Sequence, residues 1–166
     1  AKAEYFDSWK TAWFFRAIGQ IPIRRGPGAS WRRALDAAAE VLGKGQLLGI
    51  YPEGTRSKDG RLHRGHTGIA LVALRTGAPV IPVGISGTGE AQPIGRLIPK
   101  PFSRITVRFG EPIDFSEFAG RAGERLVLRQ ITDTVMAEIQ RLSGQELAER
   151  YHPAPSLKHG QIERPA

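Results

Sequence analysis

The residues best suited to chemistry in this sequence are Tyr51-Pro52-Glu53-Gly54-Thr55-Arg56-Ser57. A glycine gives the backbone conformations that a Cβ forbids, a hydroxyl and exposed amides can donate hydrogen bonds, and a guanidinium offers paired donors to two oxygens of one anion. Lys58, Arg61 and Arg64 continue the positive charge. The apolar run 46–50 just before it reads as a buried strand, with Pro52 stopping the ladder, although periodicity alone does not separate this from a buried helix segment. A loop of this composition at the carboxyl end of a buried strand suits a phosphate monoester. A surface turn with solvated charges explains the same residues.

Other chemistries find little support. The histidines are His63, His66, His152 and His159, with no companions at metal-ligand spacing. There is no cysteine, which excludes disulfides and thiolate chemistry and suits a cytoplasmic setting. No nucleophile elbow, Walker loop or dinucleotide fingerprint occurs. The residues suit binding of an anion, and the obvious general base is missing.

Around the loop the chain alternates strands and helices. Ser8 is placed to cap an aromatic helix running to Ile18, with Trp9, Ala12, Trp13 and Ala17 on one side. That helix is either a core element or an interfacial one. The segment 19–26 is a short extended piece limited to an edge by Pro22. A second helix over 31–42 buries Trp31, Leu35, Ala38, Val41 and Leu42 and ends at Gly43 or Gly45. The small apolar run 65–75 predicts a helix closing at Gly77, and 79–85 a second buried strand. With 46–50 this makes a βαβ unit, parallel by default. Residues 86–89 read as a loop, and 96–102 as a basic loop lying on a membrane or covering a pocket. The alternation in 105–109 predicts a strand. A last helix over 121–142 turns Leu128, Ile131, Val135, Ile139 and Leu142 to the core. The class is α/β, a mostly parallel central sheet flanked by helices, in one domain over 1–143. Residues 144–166 form a polar tail containing Pro153, Pro155 and Pro165.

At 166 residues, with 40% apolar and 24% charged side chains, one globular domain is expected, without a run long enough to span a bilayer. The net charge of +8 is unevenly spread. Lys10, Arg16, Arg24, Arg25, Arg32 and Arg33 occur without a carboxylate among them, as do Arg96, Lys100, Arg104 and Arg108. Such a field favours phosphorylated metabolites, coenzymes, anionic lipid surfaces or nucleic acid, and charge does not choose among them.

The ordered motifs resemble those of the glycerolipid acyltransferases of the 1-acylglycerol-3-phosphate O-acyltransferase type. The third block of that family matches Tyr51 through Ser57 in full. The second resembles Gly19 to Arg25, with Arg25 at the matching place, and the fourth resembles Val80-Ile81-Pro82-Val83. The family's first block, a His with an Asp five residues later, has no counterpart in this chain. The expectation is therefore an N-terminally truncated domain, inactive alone, whose pair lies upstream of Ala1; a non-catalytic relative is the alternative.

The resemblance implies transfer of a fatty acyl group from an acyl-CoA or acyl carrier protein thioester to lysophosphatidic acid. No other cofactor is implied. Arg25, Glu53, Gly54, Thr55, Arg56 and Ser57 would form the phosphate and glycerol site, with Glu53 orienting the arginines or binding a glycerol hydroxyl. A salt bridge from Glu53 to Arg56 or a neighbour is the plainer role. Pro82 would shape the strand on the acyl-donor side. The implied location is peripheral, on an anionic membrane surface at the cytoplasmic face, with nucleic acid not a partner. A non-catalytic basic module binding membrane or nucleic acid is the competing reading; aromatic residues interleaved on a stacking sheet are not evident.

Overall fold

Apolar residues three and four apart in Arg125–Ser143 make that helix the spine of the molecule. The computed structural model describes Ala12, Trp13, Ala17, Gly19, residues 30–96 and 98–148, and Tyr151. Within it the helices are α1 (Ser30–Gly43), α2 (Gly68–Thr76), the short α3 (Thr88–Ala91) and α4 (Arg125–Ser143). The strands are β1 (Leu62–His63), β2 (Val83–Ser86), β3 (Thr106–Phe109) and β4 (Leu147–Ala148), and one 3-10 turn covers Ser116–Phe118.

Val127, Leu128, Ile131 and Val135 of α4 are buried with Ala70 and Ala73 of α2 and with Phe115. On the other side of α2, Val72 packs with Leu35 and Ala38 of α1. The stripe expected for α4 thus faces the core, as do Leu35, Ala38 and, in part, Leu42 of the stripe expected for α1. The small residues of α2 let it lie between two helices. Helix ends fall where glycine permits a left-handed residue: Gly77 (φ 65°) returns its N–H to Ala73 O, and Gly144 (φ 72°) to Gln140 O.

The α/β class is as expected, and the pairing of strands differs in detail. β1 and β4 are parallel, Leu62 opposite Leu147, while β2 and β3 are antiparallel, Val83 opposite Phe109. The run 46–50 is not in a ladder; Leu47 is 94% exposed, and no strand among the described residues lies beside it. Apolar content signalled a strand there, but a strand needs a partner's carbonyls and amides as well. The second expected strand starts late because Pro79 and Pro82 bring no N–H. Val80 makes only an isolated bridge to Ile113, and Pro82 O accepts from Gly110 N–H at 2.9 Å.

Other expectations shift too. Residues 88 and 89, expected in a loop over 86–89, are helical, in α3, which follows Gly87 at φ 86°. α2 begins later than expected, since His66 N–H is held by Pro52 O. α4 begins later as well, at Arg125 rather than 121. Ala12 is buried while Trp13 is exposed, so the two do not share one buried face. Residues 147–148, expected within the polar tail, are β4, with Ala148 buried; Gln145 Nε2 donates to Gly60 O at 2.9 Å. The segment 19–26, apart from Gly19, and the prolines at 153, 155 and 165 lie outside the described residues.

β2 lies so close to the end of α4 that a Cβ on Gly84 would stand 2.5 Å from Leu142 Cβ and 2.6 Å from Leu142 carbonyl carbon. Gly84→Ala is expected to cost about 1–3 kcal/mol through overpacking. Gly43→Ala, in open space at the end of α1, is expected to be neutral or to stabilise by up to about 1 kcal/mol. Urea unfolding of both variants checks the contrast.

A loop closed by its own carboxylates

Two backbone contacts fold the segment Tyr51 to Ser57 into a turn. Gly54 N–H donates to Tyr51 O at 3.0 Å, with Gly54 at φ 68°, a region open to glycine and strained for other residues. Pro52 O accepts from His66 N–H at 2.8 Å, which brings the far end of the loop back to its start. A Cβ on Gly65 would meet Met136 Sδ at 2.9 Å and Pro52 Cβ at 3.1 Å, so glycine is what allows the loop to lie against α4.

The two carboxylates of the loop are directed inward. Glu53 Oε2 accepts from the backbone N–H of His63 at 2.8 Å. Asp59 Oδ1 takes the Ser57 hydroxyl at 3.0 Å, the Arg61 N–H at 3.2 Å and His63 Nε2 at 2.9 Å. An ionised carboxylate only accepts, so the proton of this last contact sits on Nε2. The hydrogen bond from the His63 ring, above all, holds the Asp59 carboxyl well below the usual carboxylate range; partial burial opposes this, and the Arg61 amide and Ser57 hydroxyl add to it. His63 itself is buried in β1.

A second layer fixes the base of the loop. Arg129 of α4 donates Nη1 to Gly65 O at 2.8 Å and to Tyr151 OH at 3.0 Å, and pairs with Asp133 at 2.6 Å. The rings of His66 and Tyr151 stack at 5.2 Å, and the Arg64 guanidinium lies 5.3 Å above the Tyr151 ring. Arg61 is ion-paired with Glu146, tying the loop to the residue before β4.

These contacts sort the residues expected at the site. Gly54, Thr55 and Arg56 are exposed at the apex, and Arg56 pairs with no carboxylate among the described residues. Glu53 makes no salt bridge to Arg56; its Oε2 accepts from the His63 amide, which braces the loop. The Ser57 hydroxyl is likewise turned to Asp59. Pro82 is fully buried, with its carbonyl accepting from Gly110 N–H just after β3. Arg25 lies outside the described residues. Asp59, His63, His66, Arg129 and Tyr151 were not singled out for the site from sequence; the one available signal was an acid four residues before a histidine.

Glu53→Ala is expected to speed hydrogen exchange at the His63 amide while leaving Leu62, whose N–H bonds Glu146 O at 2.9 Å, protected. Because the folded pKa of Asp59 is depressed, its stabilising contribution is complete above its unfolded value of about 4. That contribution is lost as pH falls from there toward the folded value. Asp59→Asn is therefore expected to flatten the acid limb of the stability curve below about pH 4, as followed by acid unfolding.

Comparison with known proteins shows the family. The family model described as Acyltransferase matches residues 1–86. A chloroplastic 1-acyl-sn-glycerol-3-phosphate acyltransferase of Brassica napus is 39% identical over 83 residues, covering 50% of this chain and 24% of that protein. One from Arabidopsis thaliana is 40% identical over 83 residues, covering 50% and 23%. The crystal structure of the 1-acyl-sn-glycerophosphate (LPA) acyltransferase PlsC from Thermotoga maritima superposes with a TM-score of 0.60 at 29% identity, over 84% of this chain and 55% of that one. The chain spans about a quarter of the length of these plant relatives. With the matched segment running through the Tyr51-to-Ser57 loop and on to the end of β2, the chain belongs to the acyltransferase family.

Proposed function

We propose that the protein carrying this chain acylates 1-acylglycerol-3-phosphate to phosphatidic acid, and that the loop Tyr51 to Ser57 grips the acceptor's phosphate. The observation that carries this reading is a contrast: Glu53 and, just beyond the loop, Asp59 are held by His63, while Arg56 stands exposed with no carboxylate partner among the described residues. A phosphate at the apex would meet a guanidinium with two parallel donors, the Thr55 hydroxyl and backbone at Gly54 approachable for want of a Cβ. Arg25 supplies the second cation in this reading.

In the reaction the free hydroxyl oxygen of the acceptor attacks the thioester carbonyl of an acyl-CoA or acyl carrier protein. The carbon–sulfur bond breaks, and the hydroxyl proton passes through a base to the leaving thiolate. No His with an Asp five residues later occurs in this sequence, so the part assigned to this chain is acceptor binding and not the proton transfer. The acceptor is an anionic lipid and the chain carries a net charge of +8, which supports a peripheral location on an anionic membrane, at its cytoplasmic face.

Calorimetric titration of the chain with glycerol 3-phosphate tests the assignment. Arg56→Ala is expected to weaken binding by about 1.5–3 kcal/mol, roughly ten- to a hundredfold, with unfolding unchanged. Equal affinity in the variant would remove the loop from the acceptor site.

A further inference from the structure

Between α3 and β3 the chain makes an excursion in which exposed apolar and cationic side chains alternate from Ile94 to Arg104. Ile94 is 52% exposed, Ile98 79% and Phe102 105%, while Arg96, Lys100 and Arg104 are exposed among them. No carboxylate occurs from Ala91 to Gly110, and none among the described residues pairs with these three cations. An isolated exposed apolar side chain is ordinary; three alternating with three unpaired cations in one loop are not.

The exposure is built into the backbone. Lys100 N–H donates to Ala91 O at 2.7 Å, Arg96 N–H to Pro93 O at 3.0 Å, Gln92 Nε2 to Arg96 O at 3.2 Å and Ser103 Oγ to Lys100 O at 3.1 Å. The returning arm packs on Gly87, where a Cβ would stand 2.2 Å from Arg104 O. Phe102 has φ 57°, the one non-glycine residue of positive φ among those described. That region is unfavourable for an aromatic residue, and here it accompanies a fully exposed ring.

We propose that the loop 94–104 is the element by which this protein seats itself in an anionic lipid surface. Ile94, Ile98 and Phe102 enter the boundary between headgroups and acyl chains, and Arg96, Lys100 and Arg104 remain among the headgroup phosphates. Long cationic side chains interleaved with apolar ones suit that boundary, since each chemistry meets its match at a different depth. The choice of a bilayer as occupant rests on the lipid-acceptor reading above; the shape and charge of the loop do not.

The chain has no cysteine, so Ile98→Cys can carry a single environment-sensitive fluorophore, with Ala137→Cys on the exposed side of α4 as control. The probe is a vesicle of equal parts phosphatidylcholine and phosphatidylglycerol, with and without brominated acyl chains. The label at 98 is expected to shift to the blue and be quenched by bromine, and the label at 137 to stay in water. Phe102→Ser, which removes a fully exposed ring, is expected to weaken partitioning roughly ten- to a hundredfold, and Lys100→Ala roughly fivefold at low salt.

A chain that ignores the vesicles, or binds them with the label at 98 still aqueous, would overturn the proposal. So would partitioning indifferent to Phe102→Ser, or burial of the label in lipid-free buffer through self-association, which would give the patch to a second copy. Glycerol 3-phosphate binding, measured without lipid on the same labelled chain, separates the two readings. Its absence beside an intact membrane response refutes the acceptor site alone, and its presence beside an aqueous label refutes the loop alone.

Discussion

A loop rich in cations can hold an anionic ligand only if its own carboxylates are kept off those cations. Here the constraint is met by His63. Its backbone amide takes Glu53 and its ring takes Asp59, so one buried residue removes both acids from competition for Arg56. Had either carboxylate paired with Arg56, an incoming phosphate would have to break that bond and leave a carboxylate facing it, a repulsive arrangement. The same contacts close the loop, so the groups at its apex are ordered before a ligand arrives and less conformational freedom is lost on binding.

That arrangement depends on α4. The helix buries one stripe in the core and turns Met136 and Arg129 toward the loop, the first packing where Gly65 has no side chain, the second bonding Gly65 O and Tyr151. Close approach at Gly65 and at Gly84 places the loop and the β2–β3 pair on the same helix. The surface thus inherits its geometry from the core rather than from contacts among exposed charges, which are individually weak.

Much of this was legible in the residues. The apolar stripes of α1 and α4 predicted much of their buried faces, glycines marked the ends of α2 and α4, and Pro52 and Gly54 marked the Tyr51-to-Ser57 run as irregular backbone, which it is. What was hidden has a common cause. The bond from Glu53 to His63, the approach of Gly84 to Leu142 and the pairing of β1 with β4 join residues far apart in the chain or set in irregular backbone. No local periodicity reports such contacts. The run 46–50 failed in the opposite way: its apolar composition spoke for a strand, while ladder formation depends on a neighbour that composition does not reveal. Glu53 shows the limit most clearly, because a carboxylate three residues from an arginine reads as its partner until the His63 amide is seen to hold it.

The most direct test of the central claim is a titration of the 15N-labelled chain with glycerol 3-phosphate, followed through the backbone amides and the arginine Nε–H signals. The account predicts saturable shifts confined to Gly54, Thr55 and the Arg56 amide and side chain, with the His63 amide unmoved because Glu53 retains it. Shifts that bypass Arg56, or a His63 amide released as the ligand binds, would contradict it.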